Sequence, residues 1–126
     1  MAKSKSRPTD GELQILSVLW QQGPSTVRAV HETLGKQTGY TTVLKLLQIM
    51  IEKGLVRRDK TQRTHVYQSK ASAEHTQRQL VKDLMQRAFV GSGKSLILQA
   101  LAVKRPTPEE IADIRKALDE VAASET

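Results

Sequence analysis

The sequence predicts a mainly α-helical fold with one small β-hairpin, and three observations predict it. Apolar residues recur at helical spacing through most of the chain, the period changes from helical to alternating after Gly54, and Ser, Thr, Gly and Pro punctuate the periodic stretches. With 126 residues and only 3% aromatics, the chain has room for one modest aliphatic core, or for two halves that lean on a partner.

Residues 1–8 hold Lys3, Lys5 and Arg7 with nothing to bury, and are expected to form a flexible basic tail. Thr9 opens the first helix, with Glu12 completing a capping box. Leu13, Leu16 and Trp20 give that helix an apolar face, and Gly23-Pro24 stops it. Ser25 or Thr26 caps a shorter helix that carries Val27, Val30 and Leu34 inward and ends at Gly35.

Thr38 to Lys53 forms a third helix, closed by Gly54. Val43, Leu46, Leu47 and Met50 make its apolar stripe, while Thr41, Lys45, Gln48 and Glu52 make a second, polar face. Short hydroxyl, amide and cationic side chains on one helix face suit the reading of base edges in a major groove. An ordinary amphipathic helix with a solvated face has the same pattern. The segment beyond Gly54 separates the two.

Leu55–Asp59 and Thr64–Ser69 alternate around the turn Lys60-Thr61-Gln62-Arg63. A hairpin directly after such a helix is a wing, and Arg57, Arg58, Lys60 and Arg63 are placed to hold phosphates beside the groove. Residues 9–70 therefore read as a winged helix-turn-helix domain. Its expected DNA-binding residues are Tyr40, Thr41, Thr42, Lys45, Gln48, Arg58, Lys60 and Arg63.

Residues 71–126 read as a helical dimerisation domain. Ser72 caps a long helix through Phe89, with Leu80, Val81, Leu84, Met85 and Phe89 on one stripe, and Gly91-Ser92-Gly93 breaks it. The next helix, Leu96 to Val103, is apolar almost all round, a pattern that needs burial on every side. Thr107-Pro108-Glu109-Glu110 starts the last helix with an N-cap, an N1 proline and a capping-box glutamate. About 50 residues cannot surround the apolar helix alone, so two copies sharing one core are expected. Leu84, Phe89, Leu96, Ile97, Leu98, Leu101, Ile111, Ile114 and Leu118 are the expected dimer residues.

Charge divides the same way. Residues 1–70 carry 12 Lys or Arg against 5 Asp or Glu, whereas residues 71–126 carry 8 of each. The basic half should meet a polyanion, and double-stranded DNA is the expected one. A non-specific nucleoid- or RNA-associated protein would share that charge. The two differ in the ratio of specific to random-sequence affinity, about 10³ or more for a sequence-specific protein.

Other classes lack support. The chain has no cysteine, which removes disulfides and thiolate metal sites and fits a reducing, cytoplasmic setting. No run of about 18 apolar residues is present, so no membrane span is expected. Gly91-Ser92-Gly93-Lys94-Ser95 resembles the end of a phosphate-binding loop, but Ala88 stands where the leading glycine belongs and no strand precedes it. His31, His65 and His75 lack metal-ligand spacing, and Glu109-Glu110 fits a helix first turn. No metal, cofactor or enzymatic activity is expected. The apolar residues of the basic half are accounted for by three helices and a hairpin, so no ligand pocket is expected there.

From about Thr9 to Val121 the chain resembles the penicillinase-repressor family of bacterial winged-helix regulators (BlaI/MecI/CopY). The marks are TDGELQILSVLW followed by GPSTVRAV, TTVLKLLQIMIEKGLV with Arg63 and Tyr67 in the wing, and Phe89-Val90-Gly91-Ser92 before the apolar helix. The resemblance implies homodimers on inverted-repeat operators that block transcription, with C-terminal helices interlocked. It also implies a regulatory protease acting on the dimerisation domain, since beta-lactam-responsive members are cut within the helix matching LILQALAV. Here the aligned bond is Gln99-Ala100 in place of Asn-Phe. Ile49 stands where an arginine is common, Gln62 replaces the wing-tip glycine, and the cysteines of copper-responsive members are absent.

Overall fold

A computed structural model describes residues 7–124; most of the expected basic tail therefore lies outside the described residues. The described chain is mainly helical, in the order α1 (Asp10–Gln22), α2 (Val27–Leu34), α3 (Tyr40–Lys53), β1 (Val56–Asp59), β2 (Val66–Ser69), α4 (Ala73–Ala88), α5 (Gly93–Val103) and α6 (Pro108–Ser124). It divides into two compact units, one up to Gln79 and the other from Leu80, with the division inside α4.

In the first unit the three expected helices and the hairpin enclose one core. Ile15, Leu16 and Leu19 of α1, Val30 of α2, and Val43, Leu47 and Met50 of α3 meet Val56 and Tyr67 of the hairpin. Each such side chain contributes about 1.5–3 kcal/mol by leaving water. The capping box at Thr9 is formed in both directions, the Glu12 N–H donating to Thr9 Oγ1 and the Thr9 N–H to Glu12 Oε1. Thr26 caps α2 by accepting from the Ala29 N–H.

Ser25 is not the cap but has a separate task. Its N–H donates to the Tyr67 carbonyl at 3.0 Å and its carbonyl accepts from the Tyr67 N–H at 2.8 Å, which stitches the wing to the link between α1 and α2. Trp20 adds a second stitch, its indole N–H reaching Ser69 Oγ and the Ala71 carbonyl.

α3 starts two residues later than its sequence pattern, with Gly39 as N-cap. The Thr38 N–H is taken by the Gly35 carbonyl, so Thr38 belongs to the preceding turn. At its other end Gly54 adopts φ 81°, and the N–H groups of Gly54 and Leu55 close back onto Ile51 and Met50. That left-handed close is the Schellman geometry glycine permits, and it turns the chain directly into β1.

The strands are shorter than the alternation implies. The antiparallel ladder runs from Val56 opposite Ser69 to Asp59 opposite Val66, leaving 60–65 as the connection. Val56, Arg58 and Tyr67 lie on the core side of the ribbon, while Arg57 and Gln68 face solvent.

In the second unit α5 begins at Gly93 rather than Leu96, because Ser92 accepts from the Ser95 N–H and caps the helix earlier. Of the residues resembling a phosphate loop, Ser92 is thus the N-cap and Gly93, Lys94 and Ser95 are the first turn. Thr107 and Glu110 form the expected capping box of α6. No residue of α5 or α6 is buried, and Leu98 is 52% exposed. Between α4 and α5, Val90 holds φ 51° and is 96% exposed, a left-handed conformation that crowds a β-branched side chain.

Candidate nucleic-acid interface

α3 has two faces of opposite character. Val43, Leu47 and Met50 are fully buried, whereas Thr41, Thr42, Lys45 and Gln48 are all exposed and none of their side chains is engaged by another described residue. Their donors and acceptors are therefore available to a ligand. The helix bearing them is held firmly. Lys53, in its last turn, donates to Glu12 of α1 at 2.7 Å, and the Glu12 side chain is only 2% exposed.

Beside this face stands the wing. Lys60 and Arg63 are exposed on the hairpin connection. Asp59 braces it, accepting from the Thr61 hydroxyl at 2.6 Å and the Thr61 N–H at 2.8 Å. Those two bonds, the side-chain one first, hold its carboxyl below the ordinary carboxylate range. Arg58 is placed differently from the other wing cations. It is half-buried, its Nε has no hydrogen-bond partner among the described residues, and it lines a recess with Pro24 and Gln68.

The structure gathers Tyr40 and Arg63 around an open cleft between the starts of α2 and α3 and the wing. The cleft is an open recess of the surface, and the apolar side chains of this half go into the core as expected. Thr26, Arg28, Thr64 and His65 complete the polar wall, with Leu44 and Tyr67 beneath. Arg28 and His65 are site residues that the sequence pattern does not single out. Arg28 follows an N-cap on a helix whose legible signal is its inward face, and only the fold brings it to the same cleft as Arg63. His31 is a half-buried support rather than a plain surface residue: its ring meets Tyr40 edge to face, 5.8 Å between centroids.

The expected dimer residues all lie in the second unit. Leu84, Ile97, Leu98, Leu101 and Leu118 are exposed in the single chain, and Phe89, Leu96, Ile111 and Ile114 are half-buried. Among the described residues, no helix is long and apolar enough to cross a membrane and no cluster of His, Asp and Glu could hold a metal ion.

Comparison with known proteins agrees with this geometry. The family model described as penicillinase repressor matches residues 8–120, which spans both units. Two proteins named transcriptional regulator BlaI, from the CDC 1551 / Oshkosh and ATCC 25618 / H37Rv strains of Mycobacterium tuberculosis, are each 34% identical over 124 residues. The alignment covers 94% of this chain and 87% of theirs. On that match, carried through the helix-turn-helix, the wing and the C-terminal helices, the chain belongs to the penicillinase repressor family.

Proposed function

We propose that this chain is a transcriptional repressor that binds inverted-repeat operator DNA as a homodimer in the cytoplasm, with no catalytic activity. The observation that carries the reading is α3: four exposed, unengaged polar side chains on a helix fixed by a buried core and a part-buried ion pair. Such a helix can enter a major groove without reorganising. Thr42, Lys45 and Gln48 then meet base edges, while Lys60 and Arg63 hold phosphates. Tyr40 and Thr41, at the helix start, sit between the two roles.

Residues 71–126 form the dimerisation domain in this reading. The exposed Leu84, Ile97, Leu98, Leu101 and Leu118 are supporting evidence, because apolar side chains in that number are costly to leave in water. Two linked reading helices gain affinity through effective concentration. Separating the subunits, by a regulatory protease acting on this domain or otherwise, therefore releases the operator without altering a base contact.

Selection of bound duplexes from a random library tests the reading. An inverted repeat should emerge, bound at least about 10³-fold tighter than random sequence. Recovery of duplexes with no shared sequence favours the non-specific nucleoid- or RNA-associated alternative.

A further inference from the structure

We propose that the open cleft between α2, α3 and the wing binds a phosphoryl group, and that Arg28 and His65 grip it together with Arg63. The inference deepens the DNA-binding reading and rests on it for the identity of the occupant.

Three chain segments far apart in sequence supply the polar wall: Thr26 and Arg28 from the start of α2, Tyr40 from α3, and Arg63, Thr64 and His65 from the wing. Among the described residues no carboxylate lines the cleft. Neither guanidinium has a carboxylate partner among the described residues, so two positive charges face one opening uncompensated. Like charges brought together in this way repel unless an anion lies between them. Guanidinium groups match phosphate oxygens with paired, charge-assisted hydrogen bonds, and the hydroxyls of Thr64 and Tyr40 are further donors.

α2 adds to the same field. It starts at this wall, and a helix start leaves backbone N–H groups without intrahelical acceptors; of these, Ala29's is satisfied by Thr26. Leu44 and the buried Tyr67 also line the cleft. The cleft, about 640 Å³ and open to solvent, has room for a phosphate that remains attached to its chain. A backbone phosphate of the operator is the occupant favoured by position, since Tyr40 links the cleft to the exposed face of α3. A free phosphate ester shares the chemistry.

The test uses the full chain with Arg28→Ala and, separately, His65→Ala. Both residues are exposed, so the fold should survive. Arg63→Ala serves as a third variant should either one fail to fold. Affinity is measured for a selected duplex and for random duplex over a range of salt, and inorganic pyrophosphate is titrated while backbone resonances of Arg28, Ala29, Thr64 and His65 are followed. If the seat holds a DNA phosphate, Arg28→Ala weakens both duplexes alike, by about tenfold per subunit. The slope of log affinity against log salt becomes shallower by about 0.9 for each phosphate no longer neutralised. If it holds a free phosphate ester, pyrophosphate shifts the cleft resonances in the wild type and not in Arg28→Ala, while duplex affinity stays the same. Unchanged duplex affinity and salt slope together with unmoved cleft resonances overturn the proposal. Loss of random-duplex affinity in Arg28→Ala without any selected operator leaves the phosphate seat standing and removes the repressor reading instead.

Discussion

Replacing Lys53 with methionine should destabilise the first unit more than replacing its partner Glu12 with glutamine. The pair is 2.7 Å apart, and its two members are unequally buried, the side chain of Glu12 being 2% exposed and that of Lys53 20%. With lysine removed, the carboxylate stays in the interior, with only the Thr9 N–H still donating to it at 2.9 Å. Stranding one member of a buried pair costs roughly 3–5 kcal/mol, and that remaining bond and the partial exposure place this case near about 2–3 kcal/mol. With glutamate neutralised instead, the amide oxygen can still accept from Thr9, and the lysine can turn its ammonium to water. About 1 kcal/mol is expected for that change.

The double variant should cost less than the two single changes added, because each removes the same interaction. Trp20 is the single tryptophan, and its indole binds Ser69 and Ala71, so its fluorescence in a urea titration reports this unit. A fall in midpoint at constant slope measures the loss. An equal or larger loss for Glu12→Gln, or strict additivity in the double variant, would refute the assignment of unequal burial as the cause.

Replacing Lys60 or Arg63 with alanine should weaken binding to every duplex similarly and make the salt slope shallower by roughly one unit for each phosphate no longer neutralised; a changed base preference in these variants would contradict a phosphate role. Leu98→Asp should yield monomers in sedimentation at micromolar concentration, since a charge inside a shared apolar core has no partner; an intact dimer would show that α5 is not the interface. Val90→Gly should raise the thermal stability of the second unit, by about 1 kcal/mol, because glycine accepts φ 51° without strain; an unchanged or lower melting temperature would show that the valine is held by contacts that outweigh its backbone cost.

Local signals in the sequence carried most of the fold. Thr9 with Glu12 and Thr107 with Glu110 sit three residues apart, so each capping box is visible to the eye and present in the structure. Gly54 marked the end of α3 for the same reason. Signals that depend on distant partners were not legible. Ser25 and Thr26 are both good caps, and the Ser25–Tyr67 bridge that decides between them joins segments 42 residues apart. Nothing near Glu12 announces Lys53, and nothing near Arg28 announces Arg63, because each pair meets only after the helices pack. The candidate reading face was legible as a helical period; the cleft beside it was not, since it belongs to three elements and to none of them alone.

The most direct measurement is the base preference of dimers carrying Lys45→Ala or Gln48→Ala, taken from the affinity of every single base-pair variant of the selected operator. If α3 reads the groove, each variant protein loses discrimination at one or two symmetric positions, by about 1–3 kcal/mol per base contact, and keeps the wild-type preference elsewhere. An unchanged preference at all positions for both proteins would contradict the assignment of this face as the part of the molecule that recognises DNA sequence.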